Sequence, residues 1–355
     1  MPGLYIGSTV PFSGKNTLCL GLGLKFRAEG LSVGYFKPVG AQAARIGDSW
    51  GDLDAHTISQ ALGQDIAPEL ATPVLVTQDF MHKAFTQGPG IDRTGPIVEA
   101  YKKISKGKDI TLVGGSGGFS HSGIYAGVDG PTVAKALDAP VLIVDRCTHE
   151  MHYDYLLSIK ETMGDKLLGC VLSDVPGHYL EELNAVLIPF LASRGIKVLG
   201  LIPHDRLLGA ITVNALAERL GGKLISSAQK GEVVAESFLI GTMQVENFLT
   251  HFRKYPKAAV ILGGDRSDLQ LVAIEGRCAC LILTGNLYPN DIILSRAENA
   301  EVPIMVVRDD TYSVARRMES LLARHKLRDP HKFQQAAQLV AANLDVAAIK
   351  QGLGL

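Results

Sequence analysis

A single tryptophan and an aromatic content of 6% leave this sequence little with which to build the stacking platforms that grip single-stranded nucleic acid. It also lacks an excess of either charge. The 35 Lys and Arg residues nearly match the 36 Asp and Glu, and a formal net charge of −1 gives no global pull toward nucleic acid or an anionic membrane. Long apolar runs are missing too, since none reaches the ~18–20 residues that span a bilayer. The first residues, Met1-Pro2-Gly3-Leu4-Tyr5-Ile6-Gly7, carry no basic stretch and read as a strand, not as a secretory leader. The five cysteines (Cys19, Cys147, Cys170, Cys278, Cys280) show no C-x-x-C spacing and no adjacent histidine cluster. That pattern speaks against a zinc site and predicts free, buried thiols in a reducing compartment. These absences together predict a cytoplasmic protein whose partners are neither nucleic acid nor membrane.

What the sequence does contain is apolar residues, at 46%, and 38 glycines. A chain of this length allows two or three domains at roughly 100–200 residues each. From residue 1 to 205, short apolar runs bounded by Gly, Pro or Asp predict strands at Leu4–Ile6, Val33–Phe36, Ile110–Val113, Val141–Val144, Cys170–Leu172 and Val198–Ile202. Helical spacing separates them, at Thr17–Glu29, Asp54–Leu62, Thr132–Leu137 and Tyr179–Arg194. Alternating βα units predict an α/β fold, a parallel sheet with helices on both faces. A second, smaller α/β domain is expected over 206–325. Its helices are placed at Val213–Leu220, Val245–Phe252, Asp268–Ala273, Asn290–Asn299 and Ser313–Ala323. Its apolar runs are Phe238–Ile240, Ala259–Leu262, Ala279–Leu283 and Ile304–Val307. Residues 326–355 read as a helical tail.

The stretch Gly7-Ser8-Thr9-Val10-Pro11-Phe12-Ser13-Gly14-Lys15-Asn16-Thr17 follows the first strand and opens the first helix. Backbone N–H groups and a helix N-terminus at that place suit phosphate oxygens, and Lys15 would reach a terminal phosphate. The spacing is two residues longer than G-x-x-x-x-G-K-[ST], and Asn16 stands where a metal-binding hydroxyl is usual. Thr17, one position late, would face elsewhere on the helix. The alternative is a glycine-rich turn with an exposed lysine. A nucleotide site at Gly7, Ser13, Gly14, Lys15, Asn16 and Thr17 is the reading that the strand–loop–helix context favours. Gly114–Gly118 leaves another strand at its C-terminal end, and a loop with Gly115 and Gly117 could wrap the same phosphates.

Taken in order, LYIGSTVPFSGKNT, GYFKPVG, GDLDAHTISQALG, VGGSGG, VAKALDAPVLIV and VLGLIPHDRLLGAITV resemble the dethiobiotin-synthetase-like region at the N-terminus of long bacterial phosphotransacetylases. Related P-loop domains occur in dethiobiotin synthetase and the cobyrinic acid amidases. The later ILGGDRSDLQ and CLILTGNLYPNDIILSRAENAEVPIMVVRDDT are similar to the DRTGG domain of the same long proteins. No counterpart of their catalytic transacetylase domain is expected in the sequence. A literal Asp92-Arg93-Thr94-Gly95 lies in the first domain and reads as a helix start.

The resemblance implies ATP on Lys15, a substrate carbamate on Lys37, and Mg²⁺ on Asp54 with Asp52 nearby. It also places the second acidic metal ligand of dethiobiotin synthetase at Gly114, so the Mg²⁺ is expected to be weakly held. ATP and GTP are not distinguished, because no N-K-x-D guanine signature is present. In the second domain Arg266 pairs with a carboxylate or receives an anion, and Ser267 or Asp268 suits a helix N-cap. A small-molecule effector site there is the minority reading beside plain turn chemistry. The stripe Val245, Phe248, Leu249, Phe252 predicts core or dimer contact, and a homo-oligomer is expected. Two functions follow. The first is a regulatory or sensory ATP-binding module with weak or absent ATPase. The alternative is an ATP-dependent ligase that activates a carboxylate or carbamate, with Lys37 as its catalytic residue.

Overall fold

In the computed structural model, residues 3–87, 91–147, 152–323 and 330–355 are described. The chain divides into two compact units. The first is built on six strands: β1 (Gly3–Ser8), β2 (Val33–Phe36), β3 (Ile110–Gly114), β4 (Val141–Arg146), β5 (Leu167–Val175) and β6 (Val198–Pro203). They form one sheet in the order β6-β5-β4-β1-β3-β2, with every neighbouring pair parallel. A parallel sheet needs crossover helices on its faces, so its central strands are covered on both sides. All six residues of β1 are accordingly buried.

The order places β1 in the middle of the sheet. The loop that leaves its C-terminal end is therefore flanked by the ends of β3 and β4. Helix α1 (Lys15–Ala28) follows that loop and is packed tightly, with Leu18, Leu20, Leu22 and Phe26 fully buried. A Cβ at Gly21 would lie 2.4 Å from the Val340 side chain, so glycine here lets the helix Pro330–Asn343 close onto α1. That helix and Val346–Leu353 belong to the first unit, and the Asp345 N–H donates to Leu199 O of β6. The tail expected as a separate helical segment is thus part of the first unit's packing.

Some elements differ from the sequence expectation. Tyr179–Arg194 is not a uniform helix. It runs as a 3₁₀ turn, a short α segment, a five-residue π segment Leu183–Leu187 and the helix Ile188–Ser193. Pro189 has no N–H for the i→i−4 bond, and the widened turn sits immediately before it. Helices Gln78–Gln87 and Tyr153–Met163, and the hairpin Ala43–Ile46 with Ser49–Asp52, carry no clear sequence expectation. Asp92 accepts from the backbone N–H of Thr94 and Gly95, so Asp92-Arg93-Thr94-Gly95 does open a helix.

The second unit carries a five-stranded sheet of β7 (Lys223–Ser226), β8 (Ser237–Ile240), β9 (Ala258–Gly263), β10 (Cys280–Thr284) and β11 (Ile304–Val306), in the order β7-β11-β10-β9-β8. Only β7 is antiparallel to its neighbour. Strand residues alternate between two cores. Val260, Leu262, Leu281, Leu283 and Ile304 join Phe248 and Phe252 on one face. Ala259, Ile261, Cys280, Ile282 and Met305 join Leu216 and Met318 on the other. This period-two division buries both faces under helices. Of the expected stripe, Phe248 and Phe252 are core and Val245 packs half-buried against them. All five cysteines are free and buried.

Candidate functional site

The loop between β1 and α1 is shaped by its residues in distinct ways. Gly14 has φ +97°, a left-handed conformation that glycine adopts without a Cβ penalty. Gly7 is glycine for another reason. A Cβ there would come 2.7 Å from Phe119 and 2.9 Å from Ile143, so its need is packing within β1. The Ser13 hydroxyl donates to Val10 O at 2.9 Å, and Ser13 O accepts from the Ser173 hydroxyl at 2.7 Å. These bonds close the loop on itself and tie it to the end of β5. Thr17 lies buried on α1.

Lys15 turns back into this loop. Its Nζ donates to Ser8 Oγ and to Gly117 O, both at 2.7 Å. Gly117 belongs to the glycine loop after β3, where Gly115 N–H also donates to Ile6 O. The two loops named from the sequence are therefore brought together by the lysine. Burial, and then the charge of Lys37, push the Lys15 ammonium down to about 7. Both its acceptors are neutral oxygens, and among the described residues no carboxylate pairs with it.

Beside this lysine stands a second buried one. Lys37 Nζ lies 2.8 Å from Asp52 Oδ1 and 3.6 Å from Asp54 Oδ2. Asn16 Nδ2 donates to the same Asp54 oxygen at 3.1 Å. Asp52 differs from the expected metal ligand. Its carboxylate caps the helix α2 (Leu53–Ala61) through Ala55 N–H and also accepts from Gln42 N–H and Lys37. Burial raises the Asp52 carboxyl, but the Lys37 charge and these hydrogen bonds outweigh that and hold it below the usual range. At Gly114 an added Cβ would lie 2.6 Å from Tyr35 Oη, so the Tyr35 side chain closes the space that any side chain at 114 would enter. The expected ligands are engaged within the protein. Asp52 has both oxygens engaged, Asp54 faces an ammonium and an amide, and position 114 offers neither ligand nor room. Among the described residues no group of three His, Cys, Asp or Glu is placed to hold a metal.

Sequence reasoning missed Asp145. It stands next to last in β4, is fully buried, and accepts from the Thr9 hydroxyl of the loop. His152 Nδ1 lies 3.3 Å away, and Asp145 Oδ2 has no hydrogen-bond partner. Burial raises its carboxyl above the usual value despite Thr9 and His152. An aspartate closing an apolar strand beside the loop strand was the available signal. Farther along the same edge Asp174, with φ +58°, accepts from Arg146 Nε at 2.7 Å and lies 2.5 Å from His204 Nδ1. His121 is exposed on its loop, with its ring 4.6 Å from that of Tyr155.

The second unit's comparable edge holds Gly263, Gly264, Asp265 and Thr284. Arg266 is engaged locally, with Nε and Nη2 at 3.0 and 2.9 Å from the two Asp268 oxygens. Neither Ser267 nor Asp268 caps the helix Ser267–Glu275, because that carboxylate is bound to Arg266. Thr284 Oγ1 pairs with Thr311 Oγ1 at 2.8 Å, and Gln270 Nε2 donates to Gly264 O.

Residues 2–212 match the AAA domain family. The chain belongs to that family. Residues 215–321 of this AAA-domain protein match the DRTGG domain. The phosphate acetyltransferase of Nitratidesulfovibrio vulgaris is 24% identical over 96% of the chain, and that of Pseudomonas putida is 25% identical over 100%. The chain spans about half the length of these relatives, 50% and 52%. Among solved structures, the MinD cell division protein of Aquifex aeolicus aligns at 17% identity and a TM-score of 0.38. That alignment covers 59% of this chain and 84% of MinD, a likeness too distant to inform function.

Proposed function

We propose that the AAA domain binds a nucleoside triphosphate and serves as a regulatory or sensory module, with the DRTGG domain as the part that responds. The observation that carries this reading is Lys15. A buried ammonium held only by a hydroxyl and a carbonyl is costly to desolvate, and an arriving phosphate would supply the missing counter-charge. The loop backbone from Gly7 to Gly14 and the start of α1 would take the remaining oxygens. The surroundings support binding more than turnover. Phosphoryl transfer relies on a clamp of positive charge fixed around the transferring group. Here Lys37 is held between Asp52 and Asp54, and no carboxylate stands at position 114. The acetyltransferase activity named for the relatives belongs to chains about twice as long, and the AAA domain's share in it would be control, not chemistry.

The test is calorimetric titration with ATP, and with GTP in parallel, joined to a phosphate-release assay. The expected outcome is clear binding with turnover far below ordinary enzymatic rates of ~1–10³ s⁻¹. Brisk release with a diamino acid or dicarboxylate present would favour the ligase reading, with Lys37 on the substrate.

A further inference from the structure

We infer that the AAA domain carries a second binding site, for a small primary amine, in a cavity on the face of α2 turned away from the phosphate loop. The inference does not depend on the nucleotide reading. The cavity measures about 310 Å³, at the lower end of the ~300–1,000 Å³ usual for small-molecule sites. It lies between α2, the short helix Pro68–Ala71 and the hairpin that ends at Asp52. Asp52, Ala55, His56, Ser59 and Gln60 line it. With about 3.6 residues per turn, these positions share the side of α2 opposite Asp54, which faces Lys37 and Asn16.

Three observations give the cavity its chemistry. Ser59 is buried, and its hydroxyl has no partner. In the same helix the Thr57 hydroxyl donates back to Leu53 O at 2.8 Å, the bond a helical hydroxyl commonly makes. The Ser59 hydroxyl makes none and is left for an occupant of the cavity. The second observation is charge. Asp65 lines the cavity, and no lysine or arginine does. Lys103, Lys106 and Lys108 stand with Asp65 around a separate hollow, and none pairs with it among the described residues. Asp52 is already matched by Lys37, so Asp65 is the carboxylate left for a cation. The last turn of α2 borders the same space through Ser59 and Gln60, and a helix C-terminus favours positive charge. The third observation is a wall fixed in advance. Gln64 Oε1 accepts from Tyr35 N–H at 3.0 Å, Nε2 donates to Val33 O at 2.6 Å, and its backbone N–H donates to Ser59 O. A wall so held costs little to order when a ligand enters. An ammonium supplies donors for Asp65 and Ser59, and a short carbon chain would rest on Ala55, Ile66 and Pro68.

Ligand-observed NMR of the whole chain tests this with two probes of one shape, 1,4-diaminobutane and 1,4-butanediol. The diamine is expected to bind at least about tenfold more tightly than the diol. Asp65→Asn, at a half-buried position, should fold as the wild type does in a thermal melt. It should weaken the diamine about tenfold or more and leave the diol as it was. Ser59→Ala should weaken the diamine about threefold or more. No binding of the diamine below about 10 mM would mean that the cavity holds water alone, and would overturn the inference. A diol that binds as tightly as the diamine, or a diamine affinity unchanged in Asp65→Asn, would overturn it too. These titrations contain no nucleotide, so their failure leaves the reading of Lys15 untouched, and a failure of ATP to bind leaves this site untouched.

Discussion

The same strand edge is used differently in the two units. In the AAA domain the C-terminal ends of the strands hold buried charge that its own neighbours only partly satisfy. Lys15 rests on neutral oxygens, and Asp145 keeps one oxygen without a partner. In the DRTGG domain the charges are exposed and matched locally, Arg266 to Asp268 and Asp310 to the Ser313 hydroxyl and backbone. Buried polar groups are ordinarily satisfied. In the first unit the shortfall falls on charged groups, whereas in the second it falls on a neutral amide, Gln270 Oε1. The difference supports the proposal that the first unit is the one that binds.

The sharpest way to break this comparison is to remove one cation from each edge. Lys15→Ala should weaken ATP binding by roughly 1.5–3 kcal/mol, the range of a charge-assisted hydrogen bond. Arg266→Ala should leave ATP binding unchanged and barely alter stability, as for an exposed pair. Equal effects of the two variants in calorimetry would dissolve the distinction. Lys15 also sets a pH dependence. Its ammonium lies near 7 in the free protein and is held charged by phosphate in the complex. ATP binding above that pH should therefore take up a proton and weaken as pH rises.

A smaller effect sharpens the account of Gly114. Gly114→Ala forces a methyl against Tyr35 Oη and should destabilise by ~1–3 kcal/mol in denaturant titration. Tyr35→Phe should relieve most of that cost, since the nearest ring atoms lie 3.3 Å from the added methyl. By itself Tyr35→Phe removes a hydroxyl without a partner and should be close to neutral.

Asp174 gives a milder contrast. Burial raises its carboxyl, but the His204 hydrogen bond and the Arg146 charge outweigh this and set it at about 2. The folded value lies below the unfolded one, so the stabilisation is complete above about pH 4 and is lost as pH falls toward 2. Asp174→Asn should cost about 1–2 kcal/mol at neutral pH in thermal melts, and most of the difference from wild type should be lost as pH falls from about 4 to 2. A pH-independent difference would mean that packing, not charge, fixes this end of the edge.

Much of the scaffold was legible because buried parallel strands are uniformly apolar. Val33–Phe36 and Val213–Leu220 coincide with their expected bounds, and the loop lysine stood out between a strand and a helix. Other parts depend on what only tertiary structure supplies. β7 (Lys223–Ser226) is an edge strand of mixed polarity, paired antiparallel to a strand distant in sequence, and no local pattern announces it. Asp52 stands two residues from Asp54 and reads in sequence as a second carboxylate for a metal, and only its cap and hydrogen bonds show what it does. Tyr35 reads as an ordinary strand residue until Gly114 is seen beside it.

Hydrogen exchange with and without saturating ATP tests the central claim most directly, because it reads both units in one experiment. A phosphate seated on Lys15 should slow exchange over residues 7–17 and 114–118, and a responding DRTGG domain should change its protection within 206–323. Protection confined to the AAA domain would leave the binder without its responder. Unchanged exchange in the 7–17 loop at an ATP concentration well above any measured Kd would contradict the account at its base.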